Sequence, residues 1–119
     1  MLVLIHGFSG SPIAWSTVVP ELATRHKVLA VTLAGHAGGA ELPAGTVASV
    51  AALADGVERD LDAAGLDQAH LVGSSLGGWI ALELAQRGRA LSVVALAPAG
   101  GWESGSQEEA DLARSVKRT

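Results

Sequence analysis

The fold is decided by the stretch Leu71-Val72-Gly73-Ser74-Ser75-Leu76-Gly77-Gly78. It contains the pattern G-x-S-x-G, in which Ser75 has a glycine two positions away on either side. An apolar run precedes the pattern and a helical pattern follows it, the strand-turn-helix context in which a serine sits on a sharp, strained turn. Residues two positions from such a serine must be small to avoid collision, and Gly73 and Gly77 meet that need.

Two other interpretations fit the same letters less well. A glycine-rich turn with serines as helix caps would explain an isolated five-residue match, but the flanking strand and helix favour the serine turn. A dinucleotide-binding loop requires G-x-G-x-x-G, and the glycines of this stretch have the wrong spacing for it. We therefore expect the Ser75 hydroxyl at the carboxyl end of the sheet, with the first N-H groups of the following helix aimed at a developing oxyanion.

Four short apolar runs alternate with longer helical patterns, which predicts an α/β fold with a mostly parallel sheet flanked by helices on both faces. The runs are near-continuous in Val, Leu, Ile and Ala, as expected for strands buried on both sides. They extend over Leu2 to Ile5, Val28 to Leu33, His70 to Val72 and Leu91 to Leu96. We expect the spatial order two, one, three, four, with the ligand site at the switch point between the first and third strands.

Three helices are predicted between these strands. The first begins at Ser11, followed by Pro12, and presents one apolar face. Its apolar positions are Trp15, Val18, Val19 and Leu22. The second runs from Val47 to Ala64 and ends at Gly65, with Glu58, Arg59 and Asp62 facing away from its apolar stripe. The third runs from about Leu76 to Arg87, where Arg87 and Arg89 suit the helix dipole.

Composition and charge limit the kinds of partner. The 119 residues fit one domain, and the apolar share of 49% is enough for a folded core. A net charge of -4 argues against nucleic acid, and the absence of cysteine with four scattered histidines predicts no metal site and no cofactor. The apolar start Met1 to Ile5 is far shorter than the roughly 20 residues that span a bilayer. We expect no membrane partner and a cytoplasmic location.

A second motif, His6-Gly7-Phe8-Ser9-Gly10, follows the first strand. With this HG loop, Trp15 in the next helix and the serine turn, the chain resembles the α/β-hydrolase superfamily. The resemblance implies that Ser75 is the catalytic nucleophile and that Gly7, Gly73 and Gly77 are the loop and turn glycines. It also implies that the backbone N-H groups of Phe8 and Leu76 form the oxyanion hole.

The resemblance extends to about Trp102 and weakens in places. Leu33-Ala34-Gly35-His36-Ala37-Gly38 is similar to the family's D-x-P-G-H-G turn, although Thr32, Ala34 and Ala37 depart from it, and His36 is expected to be a hydrogen-bonded turn residue. The stretch Ala97 to Trp102 is similar to the segment that leads into a family cap domain. We therefore predict residues 1-102 to be the N-terminal half of the hydrolase core and 103-119 to begin a cap or connecting helix.

The sequence also departs from the family in its catalytic residues. Family triads run in the order serine, acid, histidine, and no histidine follows Ser75. Glu103 is a remote candidate for the acid, but a charged residue on a solvated helix start is the better interpretation. The primary hypothesis is a serine hydrolase acting on a small acyl substrate, whose acid and histidine come from a missing C-terminal half or a swapped partner. The alternatives are a non-catalytic binding module and an inactive truncated fragment.

Overall fold

The computed structural model describes residues 1-8, 10-34 and 49-100. Within these residues the sheet has four strands, β1 (Leu2–Ile5), β2 (Val28–Val31), β3 (Ala69–Ser74) and β4 (Ala90–Leu96). All neighbouring strands are parallel and lie in the order β2-β1-β3-β4. The predicted fold class and strand order are confirmed. The strand ends differ from the predicted ones by one or two residues. Strand β2 already ends at Val31, and β3 continues to Ser74.

The first connection contains two short helices where the sequence pattern predicted one. A 3₁₀ helix covers Pro12–Trp15, and helix α1 covers Val19–Leu22. Ser11 caps the first of them as expected, since its hydroxyl accepts a hydrogen bond of 3.3 Å from the Ile13 N-H. The predicted continuous helix is wrong because Pro20 has no N-H to donate and is tolerated only in the first turn of a helix. A new helix therefore begins just before Pro20.

Helix α2 (Val50–Ala63) and helix α3 (Leu76–Gln86) are the two longer helices. Ser49 caps α2 by accepting a 3.1 Å hydrogen bond from the Ala52 N-H, and Gly65, at φ +73°, follows its end. The end agrees with the prediction, whereas the predicted start at Val47 lies outside the described residues. The apolar stripe of α2 is buried as expected at Leu53, Ala54, Val57 and Leu61.

Strand β1 is covered on both faces because alternate side chains of a strand point to opposite sides of the sheet. Val3 and Ile5 belong to a large buried cluster formed with α2 and α3. Leu2 and Leu4 face a smaller cluster around Trp15, on the side of α1. The central strand of the core is thus sandwiched between helices, which is why its sequence is apolar at every position.

Two arginines that follow α3, Arg87 and Arg89, connect the end of this helix to α2. One carboxylate, that of Glu58, accepts hydrogen bonds from both Arg87 Nη1 and Arg89 Nη1. Arg87 also contacts Asp55 at 2.7 Å, and Arg89 contacts Asp62 at the same distance. Hydrogen bonds to Glu58 and Asp55 raise the pKa of Arg87. The sequence pattern placed Glu58 and Asp62 on the side of α2 that faces away from its apolar stripe, and the structure shows that both pair with the arginines.

Strand β4 lies at one end of the described sheet and pairs with β3 alone. Its apolar side chains are much more exposed than those of β1: Leu91 is 57% exposed, Val94 50% and Leu96 48%. None of the helices in residues 1-8, 10-34 and 49-100 is long and apolar enough to cross a membrane.

Candidate active site

Three loops meet at the carboxyl edge of the sheet, after β1, β3 and β4. Because these strands are parallel and adjacent, the residues that follow them emerge on the same side. They are the HG loop beginning at His6, the serine turn at Ser75 and the turn beginning at Ala97. The order β2-β1-β3-β4 also places the switch point between the HG loop and Ser75.

Ser75 adopts a backbone conformation that side chains rarely tolerate. It lies between β3 and α3 with φ 54° and ψ -114°, and its side chain is exposed. Its hydroxyl makes no capping hydrogen bond to α3. A non-glycine residue at positive φ is uncommon and marks a site where the surrounding structure enforces the geometry.

The glycines on either side of Ser75 are required by close packing. A Cβ atom on Gly73 would collide with the carbonyl of Gly77, and a Cβ atom on Gly77 would collide with the carbonyl of Ile5. The start of α3 therefore sits directly against the ends of β1 and β3. The G-x-S-x-G spacing follows from this packing, because only glycine leaves room at both positions.

The HG loop lies against the serine turn. A Cβ atom on Gly7 would be 3.2 Å from the Ser74 carbonyl oxygen and 3.4 Å from Ser75 Cβ. Phe8 follows directly, with a side chain that is 38% exposed. Leu76 is the first residue of α3, where N-H groups have no partner inside the helix. The two predicted oxyanion-hole residues are thus next to Gly7 and Ser75, at the same edge of the sheet.

His6 is fully buried and braces the HG loop. Its Nε2 accepts a 3.0 Å hydrogen bond from the Leu33 N-H, and its Nδ1 donates to the Gly7 carbonyl at 2.8 Å. Since Nε2 accepts and Nδ1 donates, the imidazole is the neutral tautomer with its proton on Nδ1. The ring holds the loop after β1 to the chain that follows β2, and neither nitrogen is available as a base for Ser75.

Two further histidines of the described residues, His26 and His70, are not at this edge. His70 is exposed near the start of β3, where its Nδ1 lies 2.7 Å from the hydroxyl of Ser92, and His26 is exposed before β2. His36 and Glu103 lie outside the described residues. Among residues 1-8, 10-34 and 49-100, no imidazole or carboxylate hydrogen-bonds to Ser75, and no group of three potential ligands could hold a metal ion.

One part of the site was missed by sequence reasoning. The Ser75 N-H donates to the Leu96 carbonyl at 2.9 Å, and the Ser75 carbonyl accepts from the Ala99 N-H at 2.9 Å. The turn after β4 therefore contacts the serine directly. Pro98, Gly100 and Gly101 signal the end of the strand in the sequence, and nothing there indicates which residue the following turn would contact.

The strand order and the flanking helices match the α/β-hydrolase fold, and the comparison with known families agrees. The chain belongs to the alpha/beta hydrolase family, whose model matches residues 2–118.

Individual relatives carry different activities. Over 54 residues the chain is 63% identical to the epoxide hydrolase EphH of Mycobacterium tuberculosis, covering 45% of this chain and 25% of that protein. Over 101 residues it is 38% identical to the dihydrolipoyllysine-residue acetyltransferase component of the acetoin cleaving system of Cupriavidus necator, covering 83% of this chain and 26% of that protein.

Solved structures share the same architecture. A membrane phospholipase A described as a bacterial virulence factor superposes with a TM-score of 0.77 at 33% identity, covering 95% of this chain and 37% of that one. The carboxylesterase CesB from Bacillus subtilis superposes with a TM-score of 0.73 at 26% identity, covering 92% of this chain and 39% of that one. The chain spans between a quarter and two fifths of the length of these proteins.

Proposed function

We propose that this chain is the nucleophile-bearing part of a serine hydrolase that cleaves or transfers the acyl group of a small ester, thioester or amide. The observation that carries the proposal is the exposed Ser75 at φ 54° and ψ -114°, on the turn between β3 and α3. A backbone strained in this way is costly, and such strain clusters at functional sites. It directs the hydroxyl away from the sheet, where a substrate carbonyl can reach it.

The backbone N-H groups of Phe8 and Leu76 are the proposed oxyanion donors. When Ser75 Oγ attacks the carbonyl carbon, the carbonyl oxygen takes up negative charge, and two fixed N-H groups stabilise it better than mobile water does. The contact between Gly7 and Ser75 brings the HG loop close enough for such an arrangement. The positive end of α3 adds to the stabilisation.

Activation of the serine requires a base that His6 cannot supply, because both of its ring nitrogens hold the HG loop. We propose that the acid and the histidine come from polypeptide beyond these 119 residues, either a C-terminal half or a swapped partner. The greater length of the relatives supports this source, since the matches cover 25% to 39% of their chains. No metal or other cofactor has a part in the proposed reaction.

Epoxide opening is the second candidate, favoured by the 63% identity to EphH over 54 residues. Chemistry makes Ser75 unsuitable as the nucleophile of that reaction. Attack of its oxygen on an epoxide carbon would form an ether, which water does not cleave, whereas attack on an acyl carbon forms an ester that water hydrolyses. An epoxide hydrolase would therefore have to use Ser75 in another role, such as hydrogen bonding to the substrate.

The proposal is tested by labelling this chain together with the polypeptide that supplies the acid and the histidine, with a fluorophosphonate probe read by intact mass. We expect one adduct per chain in the wild type and in the Ser74→Ala control, and none in Ser75→Ala. In a second pair, Phe8→Ala keeps the backbone N-H and should label at a similar rate. Phe8→Pro removes the N-H, and we expect labelling to slow by about a hundredfold or more.

Three results would contradict the proposal. Labelling that persists in Ser75→Ala would place the reactive group elsewhere. A folded wild-type protein, verified by circular dichroism, that contains this chain with the proposed acid and histidine and still forms no adduct would argue for a non-catalytic binding module. Turnover of styrene oxide but not of p-nitrophenyl acetate by the chain would instead favour epoxide chemistry.

A further inference from the structure

Two non-glycine residues of the described chain have positive φ angles, and they lie side by side. Ser75 has φ 54° and Ala97 has φ 45°. At positive φ the Cβ atom crowds the neighbouring carbonyl, so residues other than glycine, asparagine and aspartate rarely adopt this conformation. The two residues are 22 positions apart in the sequence, yet both stand at the carboxyl ends of adjacent strands.

The backbone of Ser75 is held on both sides by the turn that contains Ala97. The Ser75 N-H donates to the carbonyl of Leu96, just before Ala97, and the Ala99 N-H donates to the Ser75 carbonyl, each at 2.9 Å. Both polar backbone groups of the proposed nucleophile thus bond to the four-residue turn Leu96 to Ala99. The chain bends at Ala97, which lies between these two partners.

Nothing local favours this conformation at Ala97. The residue before a proline is normally pushed to extended backbone, and Pro98 follows directly. Pro98 in turn is close to the first turn of α3, since a Cβ atom on Gly78 would lie 3.0 Å from Pro98 Cβ. The Ala97 side chain itself is exposed. The surrounding contacts therefore impose the turn, which is the usual condition for strain at a functional site.

We propose that Ala97 is a positioning residue, whose left-handed backbone lets the turn Leu96 to Ala99 fix the orientation of Ser75. The catalytic consequence rests on the proposed function of Ser75, while the positioning of its backbone does not. What matters at position 97 is tolerance of positive φ, and neither the size nor the polarity of the side chain decides it.

The test uses substitutions that differ in their tolerance of positive φ. Ala97→Asn should retain the turn because asparagine is enriched in the left-handed region, and Ala97→Val should lose it because β-branched residues are outliers there. Ala85→Val is the matched control, at an exposed position inside α3. The first readout is hydrogen exchange of the Ser75 and Ala99 amides relative to the Val72 amide, measured by NMR on the full chain. The second is the rate of fluorophosphonate labelling at Ser75.

In Ala97→Val we expect the protection of the Ser75 and Ala99 amides to fall about tenfold relative to Val72. Labelling should slow by roughly 10- to 100-fold. Ala97→Asn and Ala85→Val should match the wild type in both readouts. The inference would be overturned by an unchanged ratio of protection in Ala97→Val, by a uniform loss over β3 and β4, or by equal losses in the valine and asparagine variants. If the wild type forms no adduct even with the polypeptide that supplies the acid and the histidine, but the Ser75 amide loses protection in Ala97→Val as expected, the proposed function fails and the positioning role stands.

Discussion

At the scale of single residues, Ser75 depends on two neighbours that contribute no chemistry. Gly73 and Gly77 let the start of α3 approach the ends of β1 and β3 so closely that any Cβ atom would overlap a carbonyl group. The approach turns the chain sharply enough to leave the Ser75 side chain exposed. A positive φ at Ser75 costs free energy and persists only because surrounding contacts enforce it. Both glycines and the turn at Ala97 supply those contacts.

This packing predicts different results for two glycine-to-alanine changes. Gly77→Ala places a Cβ against the Ile5 carbonyl, and we expect it to lower the free energy of unfolding by about 3 kcal/mol or more. Gly56→Ala, inside α2, meets side-chain atoms only at 3.7 Å and 3.8 Å, which is ordinary contact. It should stabilise the protein by about 0.5 to 1 kcal/mol. Urea unfolding measures both values, and equal effects of the two changes would refute the packing argument.

At the scale of elements, the contact between α2 and the end of α3 has an ionic part. Glu58 sits between Arg87 and Arg89, with side chains that are 25%, 24% and 14% exposed. Partial burial reduces screening by water, and the shared carboxylate joins the two arginines into a network, which contributes more than an isolated surface pair. The network complements the apolar stripe of α2 and fixes the position of this helix on the sheet.

Neutralising the shared carboxylate should therefore be costly. We expect Glu58→Gln to lower the free energy of unfolding by about 1 to 2 kcal/mol, because two partly buried guanidinium groups lose a charged partner. Glu21→Gln is the matched control, since the structure gives the Glu21 side chain no ion pair among the described residues. It should change stability by less than about 0.5 kcal/mol. Equal values in thermal or urea unfolding would show that the network contributes nothing.

At the scale of the whole molecule, burial is uneven across the sheet. Strand β1 lies between two clusters of apolar side chains, whereas β4 exposes about half of three large ones. In the described chain the apolar side chains are therefore buried at β1 and partly exposed to solvent at β4. An exposed apolar edge invites pairing with other strands.

Two leucine-to-alanine changes measure this asymmetry. Leu4 is fully buried in the centre of the sheet. Leu4→Ala should lower the free energy of unfolding by about 2 to 5 kcal/mol, because the change removes buried methyl groups and leaves a cavity. Leu91 is 57% exposed, and Leu91→Ala should cost less than about 1 kcal/mol. Calorimetric or urea unfolding of the two variants measures both changes in the free energy of unfolding. A comparable loss in both would mean that β4 is buried in solution.

The sequence by itself determined the fold class, the strand order and the serine turn, because each rests on short-range rules. Apolar runs of strand length, a helix cap at Ser11 and a glycine after α2 are read from neighbouring residues. The sequence also contained the signal for the break in the first connection, since Pro20 is tolerated only in the first turn of a helix. The prediction of one continuous helix gave too much weight to the apolar spacing around it. The division at residue 102 and the roles of Ser75, Phe8 and Leu76 stay predictions.

Only the tertiary structure decided the contacts between residues far apart in the chain. Glu58 meets Arg87 across 29 positions and Leu33 meets His6 across 27, and no local pattern encodes which polar groups will pair over such distances. Ala97 gives no signal at all, because alanine normally avoids the conformation that it adopts beside Ser75. Its geometry is imposed by hydrogen bonds that exist only after β3 and β4 have paired. The physical reason is the same throughout: local propensity sets the elements, and packing of the assembled sheet sets their partners.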